Sequence, residues 1–139
     1  MRLRRSAGDD RWPKGDQGKG DLKDYKFDLV PANQHVTIRL AGSDAHQDVL
    51  AVAEAAAKIE TAIARRTPEE ERTDAPTAVR LFVDGRILGP VGEVPRGLEG
   101  VVSEAVTRLE LAGRNTRIPV EVRRTRQGLR VDLLMGRTR

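Results

Sequence analysis

The sequence has 139 residues, of which 38% are hydrophobic, 33% charged and 3% aromatic, and its formal net charge is +4. This length suffices for one domain with a modest core, which Val, Leu, Ile and Ala must supply because aromatic residues are so few. The absence of cysteine excludes a disulfide scaffold and a thiolate metal site, and we predict no cofactor. No apolar run is long enough for a membrane span, and no apolar segment follows the basic N-terminus, so we expect a cytoplasmic protein, or a virion protein if a phage encodes it.

Residues 1–26 form the first segment, with eight Lys or Arg residues, five Asp or Glu residues and no helical or strand period. Few apolar and many charged residues are typical of a chain that does not pack by itself. We therefore predict a basic N-terminal arm, disordered or ordered only on a partner, ahead of one folded domain over residues 27–139. The candidate anchors for a protein partner or for self-assembly are Trp12, Leu22 and Tyr25.

The domain begins with alternating apolar and polar residues over 36–40, which predict a half-buried strand. Helix-forming residues with an apolar stripe follow from Asp44. Two interpretations of residues 58–66 stay open, because propensity favours a continuing helix whereas the alternation around Thr61 permits a strand. The acidic segment 67–77, which contains two prolines, predicts a solvated loop.

A β-hairpin over residues 78–92 is the most distinct local pattern. Apolar residues occur on both faces of its first strand, which indicates a central strand of a sheet. Asp84-Gly85 suits a type I′ turn, in which both turn residues take positive φ. We expect the pairing to end at Gly89-Pro90, because proline cannot donate to the ladder.

The C-terminal third predicts a helix and a second hairpin. Apolar residues at helical spacing predict an amphipathic helix between Pro95 and Gly113, with its apolar stripe in the core. Alternating residues then predict two strands joined by a turn near residue 127. Residues 114–139 contain eight arginines and two acids, a net charge of +6, whereas residues 27–113 carry −5.

The order of these segments resembles HIRAN-like domains, in particular short, stand-alone members from actinobacteria or their phages. The run LAGSDAHQDVL resembles the opening motif of that family, and PTAVRLFVDGRILGPVGEVP resembles the segment around its central hairpin. A helix and two strands follow in family order, so the resemblance covers residues 36–135. It implies a strand over residues 58–66 and an α+β fold: a small, curved, antiparallel β-barrel or half-barrel of OB-like character, with two packed helices and the flexible N-terminal arm.

The resemblance also implies a function, because the family is associated with binding DNA, notably single-stranded 3′ ends, through aromatic stacking and polar contacts. The sequence departs from the family at two places. Pro90 stands where an aromatic residue is usual, and the family's Asn-Pro-Asp loop retains Pro76 while its acid is displaced to Asp74. The aromatic side chains left for stacking on a base are Phe82, and Phe27 at the margin of the domain.

We predict a non-enzymatic nucleic-acid-binding module whose basic C-terminal hairpin contacts the DNA backbone. The candidate phosphate contacts are Arg117, Arg123, Arg124, Arg126 and Arg130. The alternative is a structural or adaptor protein of a larger assembly, such as a phage virion component, which uses the arm and its charge-segregated surface for protein–protein contacts. The sequence shows neither a nucleophile paired with a base nor a phosphate-binding loop of the required spacing. No motif therefore indicates an enzyme.

Overall fold

The computed structural model describes residues 11–139, which form an α+β fold of six strands and three α-helices. In chain order these are β1 (Ile38–Arg39), α1 (Gln47–Ala55), β2 (Ile59–Ala62), α2 (Pro68–Arg72), β3 (Ala78–Val83), β4 (Arg86–Glu93), α3 (Glu99–Leu111), β5 (Val120–Thr125) and β6 (Gly128–Leu133). Short 3-10 helices cover Leu22–Asp24, Asp44–His46 and Met135–Thr138. None of the helices in this part of the chain has the length and apolar character needed to cross a membrane.

The strands form two antiparallel sheets of three strands each, in the orders β1-β6-β5 and β2-β3-β4. A pair of backbone hydrogen bonds between Ala41 and Glu93, both 2.8 Å, joins the two sheets. Over residues 11–139 the strand pairing does not close into a barrel. The confirmed part of the predicted fold is therefore its α+β class with antiparallel strands.

The core is aliphatic, as the composition requires. Helix α3 buries its apolar stripe, including Val102, Ala105 and Leu109, which confirms the predicted amphipathic helix. The largest fully buried apolar side chains in the described residues are Ile38, Leu40, Leu50, Leu81, Leu98, Ile118, Leu133 and Met135. They come from both sheets, from α1, from the segments on either side of α3 and from the last 3-10 helix, so one core holds the two sheets together.

Residues 58–66 contain a strand, so the interpretation of one continuous helix is wrong there. Helix α1 ends at Ala55, and β2 pairs with β3, with Thr61 opposite Leu81. The buried Thr61 hydroxyl donates to the Ile118 carbonyl at 3.0 Å. Pairing and burial override the helix propensity of this alanine-rich segment.

The acidic segment after β2 is also more ordered than the predicted loop. It contains the short helix α2, which a capping box starts. Thr67 Oγ1 accepts from the Glu70 backbone N–H at 3.1 Å, and Glu70 Oε1 accepts from the Thr67 N–H at 2.8 Å. Reciprocal capping of this kind satisfies N–H groups that the first turn leaves free.

The central hairpin has the predicted turn, with φ of 48° at Asp84 and 86° at Gly85. The expected end at Gly89-Pro90 is wrong, because β4 continues to Glu93. Between the pairs Leu81–Leu88 and Val79–Gly92, residues 89–91 of β4 lie opposite the single residue Arg80 of β3. This bulge places the proline where the ladder needs no N–H donor.

Helix α3 starts later than the sequence predicts, at Glu99 instead of Pro95. The preceding turn is closed by the Leu98 N–H, which donates to the Pro95 carbonyl at 3.1 Å. The Glu99 side chain is buried, accepts from the Gly97 N–H at 2.8 Å and pairs with Arg96 at 2.8 Å. Its carboxylate therefore stabilises the turn before the helix.

The predicted N-terminal arm differs from the structure after its first ten residues. Residues 1–10 lie outside the described residues, but residues 11–26 pack against the domain that we expected to begin at residue 27. Lys19 and Arg39 exchange backbone hydrogen bonds of 3.1 and 2.9 Å. The Asp16 carboxylate, 2% exposed, accepts from the N–H groups of Ser43 at 2.8 Å and Asp44 at 3.0 Å. The segment is held by individual polar contacts and by the buried Tyr25 side chain, which leave no periodic apolar pattern in the sequence.

Candidate functional site

Arg130, one of the predicted phosphate contacts, is buried, with 2% of its surface exposed. Its guanidinium donates to the Gly15 carbonyl from Nε at 3.1 Å and from Nη2 at 2.9 Å. It also pairs with Asp44 at 2.8 Å and lies 3.7 Å from the Asp16 carboxylate. Arg130 therefore holds residues 15–16 on the outer face of β6, and no donor of this side chain faces an external phosphate.

The other arginines of the β5–β6 hairpin are exposed but differ in their pairing. Arg123 pairs with Glu121 at 2.7 Å, and Arg124 pairs with Glu54 of α1. Arg126 is exposed near the turn and forms no ion pair with any residue of 11–139. The hairpin surface is thus partly neutralised by Glu121 of β5 and by Glu54 of α1.

The predicted partner anchors also differ from one another. Tyr25 is buried, and burial raises the pKa of its phenol. The half-buried Trp12 ring lies against Gly42, where an added Cβ would come within 2.7 Å of it. Leu22 is 44% exposed. The most exposed aromatic side chain in the described residues is Phe27, at 104%.

A hollow of about 450 Å³ lies where β2, the C-terminal end of α3 and residues 114–120 meet. We call it the basic hollow because four cationic side chains line it: Lys58, Arg114, Arg117 and Arg137. Its apolar lining consists of Ile59, Leu109, Ile118, Pro119, Val120 and Leu134. Glu60 is the one carboxylate in the lining, so the hollow carries four cations and a net charge of +3.

Arg117 contacts both a carboxylate and an aromatic ring at the edge of the basic hollow. Its guanidinium pairs with Glu60 at 2.5 Å and lies 4.0 Å from the centroid of the Phe82 ring. The hydrogen bond from Arg117 lowers the pKa of Glu60, which keeps this carboxylate ionised. A second hollow of about 280 Å³, lined by Phe82 and Thr116, shares Arg117 with the basic hollow. Arg117 therefore lies between two adjoining depressions, with its guanidinium over the Phe82 ring that lines the second.

The remaining cations of the basic hollow come from three separate segments. Arg114 donates to the backbone carbonyls of Arg137 at 3.1 Å and Arg139 at 3.3 Å, which fixes the C-terminal segment against the end of α3. The side chains of Lys58 and Arg137 are exposed, and neither forms an ion pair with a residue between 11 and 139. Of the four cations, Arg117 is thus the one that forms an ion pair within residues 11–139, although the charge of Lys58 also acts on Glu60.

Such a hollow can bind an anion that also has a flat apolar part. The uncompensated cations attract negative charge, the guanidinium groups offer planar hydrogen-bond donors, and the lining accepts an apolar ring. Sequence reasoning identified Arg117 but missed Lys58, Arg114 and Arg137. Arg114 and Arg137 belong to the +6 segment that the sequence shows, whereas no sequence pattern points to Lys58.

Residues 11–139 contain no group of three or more His, Asp or Glu side chains placed to hold a metal ion. Comparison of the sequence with protein-family models and with curated proteins, and of the structure with solved structures, finds no match. The inference about function therefore depends on the basic hollow and its surroundings.

Proposed function

We propose that this protein is a non-enzymatic nucleic-acid-binding module of HIRAN-like type, in which the two sheets form an open half-barrel of OB-like character. The observation that carries the proposal is the basic hollow, with its net charge of +3 and the Arg117–Phe82 stack at its edge. The order of elements, including a strand rather than a helix at Ile59–Ala62, supports the fold part of the proposal.

The chemistry of the hollow favours a single-stranded nucleic acid. Phosphate groups gain from cations that no carboxylate neutralises, and an unpaired base can stack on an aromatic ring or a guanidinium plane. Arg117 supplies such a plane, and its guanidinium carbon lies over the Phe82 ring, 4.0 Å from the ring centroid. The two adjoining depressions on either side of Arg117 provide room for consecutive nucleotides.

The set of contacts that we propose differs from the one predicted from the sequence. Arg117 stays in it, and Lys58, Arg114 and Arg137 are added. Arg130 is removed from the set because its side chain is buried and hydrogen-bonded within the protein. Val120 lines the hollow and is the first residue of β5. The basic surface therefore extends from the hollow along the hairpin, where Arg123, Arg124 and Arg126 serve as secondary phosphate contacts.

The test is binding of a fluorescently labelled oligothymidine to the full chain, followed by anisotropy over a series of salt concentrations. Three or four phosphate contacts predict a slope of log K against log salt of about −2 to −3, at about −0.7 per contact for a single strand. A duplex of the same length serves as the comparison and should bind more weakly, because its bases cannot stack on the Arg117 plane. If no salt-sensitive binding is seen at low ionic strength, the proposal fails.

One observation favours the alternative of a structural or adaptor protein. Phe27 and Leu111 are apolar side chains that are 104% and 83% exposed, which is more than either predicted anchor Trp12 or Tyr25 shows. Large apolar side chains left in solvent offer anchor points for a protein partner.

A further inference from the structure

Glu60 is the one carboxylate in the lining of the basic hollow. Its Oε1 accepts from the Arg117 guanidinium at 2.5 Å. The one partner of its Oε2 within residues 11–139 is the Asn115 amide, which donates at the long distance of 3.4 Å. Because an ionised carboxylate has about four lone-pair sites on its two oxygens, Glu60 keeps free acceptor capacity, mainly at Oε2.

A closed ring of hydrogen bonds fixes the position of this carboxylate. Asn115 Oδ1 accepts from the Arg117 backbone N–H at 2.9 Å, and the side chains of both residues donate to Glu60. Glu60 also lies on β2 directly opposite Phe82 of β3, whose ring contacts the Arg117 guanidinium. The Glu60 side chain is 25% exposed, which leaves it within reach of a ligand in the hollow. The carboxylate is thus a preorganised acceptor.

A carboxylate is unfavourable in a site that binds phosphate groups alone, because it repels them and offsets one of the four cations. In a site that also holds an unpaired base, the same group selects bases that present N–H donors on their Watson–Crick edge. Lys58, Arg114 and Arg137 form no ion pair within residues 11–139 and so remain for the phosphates. The hollow therefore has separate groups for the backbone and for a base.

Guanine is the base whose Watson–Crick edge matches a carboxylate. It presents two adjacent donors, N1–H and the 2-amino group, which can meet the two oxygens of one carboxylate in parallel. Adenine and cytosine each have a ring-nitrogen acceptor beside their amino donor, and thymine has a carbonyl oxygen on either side of its N3–H. An acceptor that faces a carboxylate oxygen gains no hydrogen bond and loses its water, which costs free energy.

We propose that the basic hollow selects guanine, with N1–H and the 2-amino group of the base donating to the two oxygens of Glu60. This inference rests on the proposed nucleic-acid function and names the base that the site prefers. Glu60 is then the specificity-determining residue, and Asn115 is a positioning residue for it. The volume of about 450 Å³ lies within the range of small-molecule sites, about 300–1,000 Å³, and suffices for one base.

Fluorescence anisotropy of the full chain with short labelled strands tests the selection. Oligothymidine is compared with the same strand carrying one central guanine, adenine, cytosine or hypoxanthine, at a length that offers few alternative registers. The guanine strand should bind at least about five-fold more tightly than the thymine, adenine and cytosine strands, the lower bound for one bidentate base contact. Hypoxanthine keeps N1–H but lacks the 2-amino group, so its strand should have intermediate affinity. Equal affinities for the guanine, adenine and cytosine strands overturn the inference.

Glu60→Gln separates base selection from a merely structural role. The variant should lose the preference for guanine, while oligothymidine binds as tightly as before or more tightly, because the net charge of the hollow rises from +3 to +4. If Glu60 only supported Arg117, the affinities for all strands would fall together, and that result would refute the selection. Glu69→Gln is the matched control, since Glu69 is an arginine-paired carboxylate of α2 outside the hollow, and it should keep the guanine preference.

The thymine and guanine strands together distinguish a failure of the base selection from a failure of the proposed function. Salt-sensitive binding of oligothymidine without a preference for guanine refutes the selection and leaves the nucleic-acid function in place. Absence of salt-sensitive binding by both strands at low ionic strength refutes both.

Discussion

Arg130→Ala should lower the free energy of unfolding by about 3–5 kcal/mol, the range for breaking a buried ion pair by removing one partner. The guanidinium is 2% exposed and bonds to Gly15, Asp44 and, at longer range, Asp16. Without it, the Asp16 carboxylate stays buried without a cation and the Gly15 carbonyl loses both donors. We expect residues 11–20 to detach from the sheet before the rest of the domain unfolds.

Urea denaturation followed by Trp12 fluorescence measures this effect, because Trp12 is the chain's one tryptophan and lies in the detaching segment. Arg126→Ala is the control, since Arg126 is an exposed arginine on the same hairpin and should change stability by no more than about 0.5 kcal/mol. Arg130→Lys should recover only part of the loss, because an ammonium cannot reproduce the forked contact with Gly15. If the Arg130→Ala protein were as stable as the Arg126→Ala protein, the contacts of Arg130 with Gly15, Asp16 and Asp44 would not be what holds residues 11–20 on the sheet.

Arg137→Glu should weaken oligothymidine binding by at least about ten-fold at low salt and reduce the magnitude of the salt slope by about 0.7, the value for one phosphate contact of a single strand. The substitution lowers the net charge of the basic hollow from +3 to +1 and places a carboxylate where a phosphate would lie. Because the Arg137 side chain is exposed, the protein should stay folded. Fluorescence anisotropy of the labelled oligonucleotide measures both quantities.

Arg72→Glu is the matched control for this prediction. Arg72 is an exposed arginine of α2, outside the basic hollow, and its reversal changes the total charge of the protein by the same amount. It should change the affinity for oligothymidine by less than about three-fold, which corresponds to a long-range electrostatic effect alone. Equal losses in the two variants would mean that net charge, and no defined site, governs binding.

The parts of the fold that the sequence predicts are those with a repeating pattern. The apolar stripe of α3, the alternation in β5 and β6 and the Asp84-Gly85 turn are all local signals, and the structure contains each of them. Residues 58–66 lack a decisive pattern because alanine-rich helix propensity competes with strand alternation. Pairing with β3 and the burial of Thr61 decide for the strand, and neither is visible in the sequence.

The packed segment 11–26 could not be predicted from periodicity. Its attachment depends on Asp16 and Gly15, which contact residues 43–44 and Arg130 from far along the chain. Charged and glycine-rich sequence of this kind is typical of disordered arms, and only the tertiary contacts distinguish it. The same contacts explain why Arg130, in a basic hairpin, is buried.

The basic hollow likewise depends on residues that are far apart in the sequence. Lys58 follows α1, Arg114 and Arg117 follow α3, and Arg137 lies in the final 3-10 helix, so the four cations come together only when the two sheets pack. The charge of the C-terminal segment indicates a basic surface. The position of that surface, between β2 and the end of α3, is visible only in the folded structure. Arg117 was predicted because it belongs to that segment, while its stacking on Phe82 of β3 was not.

The most direct test of the central claim, that the basic hollow is the nucleic-acid site, is NMR titration of the isotope-labelled protein with oligothymidine. The largest chemical-shift changes should fall on the amides and guanidinium groups around Lys58, Arg114, Arg117 and Arg137, with smaller changes along β5. Changes that centre on α2 or on residues around the exposed Phe27, and that leave the hollow unaffected, would contradict the claim.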